Sequence, residues 1–226
     1  TEAENAFNSA NRRSHLIYNL KGRGKEWGPL VRFSLPWSEG RILLAQGKYE
    51  LAEQRFRTAL RIIEDYIAAG RGTDYNYRGL TGDPIRDVRD RQLAVAHTDL
   101  SVALRLQNQL PESEFHARKA VEQYVKLYGA GSGHTAWALR IFTDVIAEQG
   151  RFNEAEADLK KSYEIRQDGL KTDIAYISDV VVTLYNLIFL YLESGRDREA
   201  ENTFQELERV LSDYFSRKTS EEAKSM

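Results

Sequence analysis

The chain has 226 residues, 42% apolar and 29% charged, enough to bury a hydrophobic core in one domain or two small ones. Lys and Arg number 32 and Asp and Glu 34, so the formal charge of −2 lacks the basic excess of a protein that coats nucleic acid. No run approaches the roughly 18 apolar residues of a membrane span, and the absence of cysteine excludes disulfides, thiolate metal sites and cysteine nucleophiles.

The chain opens without Met, and its single Met is Met226, so a removed leader or a longer parent protein is expected, with a cytoplasmic or exported location. A helix is expected over 2–20, followed by Gly22–Gly28 as a linker. Residues 11–41 carry seven Lys or Arg against Glu26 and Glu39. This excess could meet an acidic partner or phosphate, although a solvated linker face is the commoner outcome. Helices follow over 36–46 and 49–69, then a turn-rich, aromatic insertion over 70–83 containing Tyr75 and Tyr77. Pro84 and Pro111 suit the first positions of helices over 84–107 and 111–128, where a missing N–H costs nothing. Gly129–Thr135 lacks the Gly-Lys-Ser/Thr ending and the preceding strand of a phosphate loop, so it reads as a hinge. The last helices are expected over 134–149, 152–169, 173–194 (capped by Thr172 or Asp173) and 197–216, before a polar, frayed tail over 217–226. Nothing reads as a strand.

Three stretches align without gaps: Gly47–Phe56, Gly150–Leu159 and Gly195–Phe204. Each reads Gly, a basic residue, three variable positions, Ala-Glu, two more, then Phe or Leu. Ala3-Glu4-Asn5-Ala6-Phe7 repeats the second half, and Asn108 with Ala117 and Ala120 marks a degenerate copy. The glycine ends one helix at φ > 0. The alanine permits a close helix crossing, and the Phe or Leu one turn later fills the gap to the neighbouring helix.

This pattern resembles the tetratricopeptide repeat (TPR), whose second helix reads Ala-x-x-x-Phe-x-x-Ala, and the resemblance covers residues 1–12 and 33–215. Gly40 matches the first-helix glycine, and Leu43, Ile146 and Tyr191 stand at the expected tyrosine. Gly150 and Gly195 lie 45 residues apart, about eleven more than a 34-residue repeat. Repeats of this length resemble those of kinesin light chains and of long bacterial TPR arrays. The resemblance implies an all-α, right-handed solenoid of antiparallel helix pairs, occupying 1–216 as a single domain.

It also implies a function. The first helix of each pair lines a concave groove for a protein or peptide partner. By register, the groove residues are Trp37, Arg41 and Leu44; Thr98, Asp99, Val102 and Arg105; Trp137, Arg140, Asp144 and Glu148; and Tyr185, Asn186, Phe189 and Glu193. Asn186 matches the asparagine with which TPR proteins hold a peptide backbone. Ser38, Asp99 and Ile141 replace it elsewhere, so a two-carboxylate clamp is not supported. Aromatics beside arginines are the composition of interface hot spots, although Trp37, Trp137 or Phe189 could instead pack between helices.

No catalytic set emerges. His15, His97, His116 and His134 lack metal-ligand spacing. Glu154/Glu156 and Glu206/Glu208 stand at i,i+2, off a shared helix face, and read as outer-surface charge. The expectation is a non-catalytic scaffold without cofactor, metal, nucleic acid or membrane span. One alternative is the regulatory half of a caspase-like CHAT peptidase whose catalytic domain lies outside this chain. Another is a homo-oligomer joined through the uncapped half-repeat at 1–20.

Overall fold

The computed structural model describes residues 24–69, 84–172 and 177–225. Among them are eight helices and no strand: α1 (Gly24–Ala45), α2 (Tyr49–Ala68), α3 (Pro84–Arg105), α4 (Leu110–Tyr128), α5 (Gly133–Glu148), α6 (Phe152–Thr172), α7 (Ile177–Glu193) and α8 (Asp197–Ser225). None of these helices is long and apolar enough to cross a membrane.

The repeat's glycines stand where the sequence pattern needs them. Gly47, Gly150 and Gly195 have φ of 73°, 76° and 70°, and Asn108 takes the same left-handed role at 59°. Each turn closes with the long-range bond of a Schellman motif. The N–H of Lys48, Gln109, Arg151 and Arg196 donates to the carbonyls of Leu43, Leu104, Ile146 and Tyr191 at 2.8–3.0 Å. The motif alanines Ala52, Ala117, Ala155 and Ala200 are buried, as are Ala59, Ala120, Ser162 and Leu207 further along the same stripe. Phe56 and Leu159 fill the gaps beyond them, whereas Phe204 in the last pair is exposed.

The described residues form two compact units, one ending at Gln123 and one beginning at Tyr124. In the first, α1 packs on α2 and α3, and α2 packs on α3. Its core gathers Phe33, Phe56, Ile63, Leu100 and Leu104. In the second, α5 packs on α6 and α7, α6 on α7, and α7 on α8. Val180, Leu184 and Leu207 are buried there beneath Tyr163, Leu170 and Ile188.

Several boundaries differ from the sequence reading. The helix expected at 36–46 begins at Gly24, so Gly24–Gly28 is helical rather than linker, and Pro36 lies inside a helix. Proline already holds a helical φ, and the packing of Phe33, Trp37 and Leu44 in the unit's core opposes the lost hydrogen bond. Thr172 ends α6 instead of capping α7, which starts at Ile177. The segment expected as a frayed tail continues α8 to Ser225, consistent with a run that contains neither Gly nor Pro. The half-repeat over 1–20 and the insertion over 70–83 lie outside the described residues.

Candidate partner-binding faces

In the first unit, the structure brings three of the predicted groove residues together. The Trp37 indole N–H donates to Asp99 Oδ2 at 2.6 Å, tying α1 to α3. Phe33 stacks on Trp37 with centroids 6.2 Å apart, and the Arg41 guanidinium lies 5.4 Å from the indole centre. Burial raises the Asp99 carboxyl above its ordinary range, against the lowering effects of the Trp37 bond and the Arg41 charge. Thr98 is fully buried and donates to the Ala94 carbonyl at 2.8 Å, while Val102 and Arg105 are half-buried. Much of this face is therefore engaged within its own unit.

Beside it runs a polar seam between α3 and α4 that sequence reasoning missed. His97 and His116 are buried, stacked at 5.1 Å, and joined Nδ1 to Nδ1 at 2.9 Å. One turn on, the hydroxyls of Ser101 and Ser113 lie 3.0 Å apart, and Ser113 also donates to the Ser101 carbonyl at 2.8 Å. Burial lowers both imidazole pKa values, that of His97 to about 4 with repulsion from His116 and Lys119 adding to it. For His116 the Glu112 carboxylate opposes the shift and Arg57 adds to it. The signal was present in the sequence: each pair is centred on the turn near Gln107, so folding the hairpin there sets its members opposite one another.

The second unit presents a more open face. Trp137 is 39% exposed and meets Tyr124 edge-on at 6.2 Å. Arg140 pairs with Asp144 at 3.0 Å one turn further along α5. On α7, Tyr185 and Phe189 are 45% and 61% exposed. Val182 and Leu192, which sequence reasoning did not single out, extend the same row at 39% and 50%. Asn186 beside them is buried, and among the described residues its Nδ2 has no hydrogen-bond partner. Glu148 and Glu193 are exposed at the ends of α5 and α7.

Two carboxylates read as outer-surface charge instead join helices. Glu156 accepts from Lys160 at 2.7 Å, from the Tyr191 hydroxyl at 3.0 Å and from Arg196 at 2.5 Å. Those contacts, Arg196 foremost, hold its pKa down to about 2. Glu206 accepts from the Tyr163 hydroxyl at 2.8 Å and pairs with Arg209. Glu53, at the Glu156 position of its own repeat, likewise accepts from Gln107 at 2.9 Å beside the next turn. At Ala52-Glu53 and Ala155-Glu156 the motif is thus a packing alanine followed by a carboxylate that fastens one pair to the next.

Between α6 and α8 lies a cavity of about 330 Å³ whose walls mix Arg209 and Arg217 with Glu206 and Asp213 over Leu170 and Val210. Among the described residues, no group of three His, Asp or Glu side chains is placed to hold a metal.

Antiparallel helix pairs, left-handed turn residues and buried motif alanines define a TPR-type α-solenoid. Residues 92–168 match the tetratricopeptide-repeat family profile. Among solved structures, BtubC (BKLC) from P. vanneervenii is similar at 15% identity and a TM-score of 0.67, covering 94% of this chain and 74% of that one. Nearly identical TPR-like repeats ascribed to a kinesin light chain of Podosopora anserina align at 13% identity and a TM-score of 0.64, covering 93% and 88%. A second structure of those repeats aligns at 12% identity and a TM-score of 0.65, covering 93% and 87%. No curated protein matches the sequence.

Proposed function

We propose that the chain binds a protein or peptide partner on the face formed by α5 and α7. Tetratricopeptide repeats serve in general as protein-interaction scaffolds and are typically non-catalytic. The observation that carries the reading to this face is the exposure of Trp137, Tyr185 and Phe189 together on the first helices of the second unit. Large aromatics beside a guanidinium are the side chains that dominate interface energies. Contiguous exposed apolar surface of this kind marks interaction sites. In the first unit, by contrast, Trp37 and Asp99 are bound to each other.

A displayed library of peptides and small folded domains, selected on the intact protein, tests this reading. Binders should be enriched and should lose affinity for a Tyr185→Ala/Phe189→Ala double variant by about tenfold or more. Binders indifferent to that variant would place recognition elsewhere and refute the proposal.

A further inference from the structure

The apolar row on α7 is spaced like one seam of a coiled coil. Val182, Tyr185, Phe189 and Leu192 follow one another at intervals of three, four and three residues, and all four are exposed. At 1.5 Å per residue they form a stripe about 15 Å long, close to three helical turns. The neighbouring α5 carries Trp137, Arg140 and Asp144 at the same distances before Gly150 as Val182, Tyr185 and Phe189 stand before Gly195. An apolar column on α7 therefore runs beside a mixed column on α5, against which α7 packs.

The two columns end on charge of one sign. Glu148 and Glu193 stand two residues before their turn glycines, both exposed, at the C-terminal ends of α5 and α7. Those helix ends add partial negative charge of their own. Midway, Arg140 and Asp144 compensate each other. The face is thus apolar along α7, with an exposed carboxylate closing each column at one end.

Resting on the reading that this face binds a partner, we propose that the partner presents an amphipathic α-helix with an apolar seam and Lys or Arg near one end. An extended peptide alternates its side chains to opposite sides with period two and cannot set consecutive anchors on a three-four-three row. A helix packed nearly parallel to α7 can, because ridges at i,i+3 and i,i+4 interlock at a shallow crossing angle. Antiparallel to α7, it also brings its positive N-terminus and basic side chains over Glu148 and Glu193. A helix of three turns is marginal alone in water, so the segment belongs to a longer helix, a folded domain or a coiled coil.

The test uses labelled 21-residue peptides of three heptads with Leu at the seam, kept below the concentration at which they self-associate. One carries Lys at the flanking positions, one carries Glu there, and one is the Lys peptide with a central Pro. Fluorescence anisotropy with the intact protein should rank the Lys helix first, with the Glu and Pro peptides at least about tenfold weaker. Phe189→Asp should abolish binding of the Lys helix, whereas Phe115→Asp on the first unit should not change it. Glu193→Lys should narrow or reverse the preference between Lys and Glu peptides. Circular dichroism of each variant should match the parent, since Phe189 and Phe115 are both more than half exposed.

Equal binding of the Pro and Lys peptides, lost in Phe189→Asp, would overturn the helical occupant while leaving the partner-binding face intact. Binding unaffected by Phe189→Asp would overturn both. Dimerisation of the free protein abolished by Phe189→Asp in sedimentation equilibrium would assign the face to a second copy of this chain and overturn the proposal.

Discussion

Acid should loosen the first unit through the buried imidazole pair. His97 and His116 meet Nδ1 to Nδ1 at 2.9 Å, so one nitrogen must donate and the other accept. Two imidazolium rings would turn both nitrogens into donors. Around the pair, Glu112 attracts a proton to His116 while Arg57 and Lys119 repel one. His97 is held at about 4 in the folded chain, against an ordinary value near 6.5. The unfolded chain therefore binds more protons between those values, and the pair's contribution is complete above pH 6.5 and falls away as pH drops toward 4. One pKa unit corresponds to about 1.4 kcal/mol, so the loss across that window is about 2–3 kcal/mol. For a chain of this size that amounts to roughly 5–10 °C in melting temperature. Thermal melts at pH 7.5, 6.0, 5.0 and 4.5 should show the decline, and a His97→Leu/His116→Leu variant should lose most of it. An identical pH slope in the double variant would show that the pair is not held neutral.

Three further substitutions probe the repeat itself. Gly40→Ala would set a methyl group 2.5 Å from the buried Phe56 ring. It should cost a net of about 1–2 kcal/mol in chemical denaturation, overpacking exceeding the gain in helix propensity. Glu156→Gln should cost about 1–3 kcal/mol at pH 7 by removing the charge that faces Arg196 and turning one of the two acceptor oxygens into a donor, and the penalty should shrink as pH falls below about 4.5 toward 2, where the parent loses its own charge. Asn108→Gly should be neutral or stabilise by up to about 1 kcal/mol, because Asn108 holds φ of 59°. Destabilisation by that change would point to a side-chain role for Asn108 beyond the turn.

The turn residues and the packing alanines were legible in the sequence because each follows from backbone conformation or close approach within a repeated register. Asn108 could be recognised as the stand-in for glycine since few other residues tolerate the left-handed region. The extension of α1 back to Gly24 was not legible, because prolines and glycines there are local breakers that tertiary packing overrides. Glu156 and Glu206 were misread for a different reason. Their i,i+2 spacing to a second Glu describes one helix, whereas their partners Tyr191, Arg196 and Tyr163 come from others. The candidate faces were partly legible: register set Trp137, Tyr185 and Phe189 on the first helices, while their exposure, and the bond that engages Trp37 with Asp99, depend on which neighbours pack beside them.

Indole N–H resonances offer the most direct test of the central claim, that the face of α5 and α7 is where a partner docks. Trp137 reports from that face, and Trp37, with its N–H bonded to Asp99, reports from the first unit. During titration of the intact protein with the Lys-bearing helix, the Trp137 resonance should move and saturate with the anisotropy isotherm while the Trp37 resonance stays in place. Saturable binding that moves Trp37 and leaves Trp137 unchanged would contradict the account.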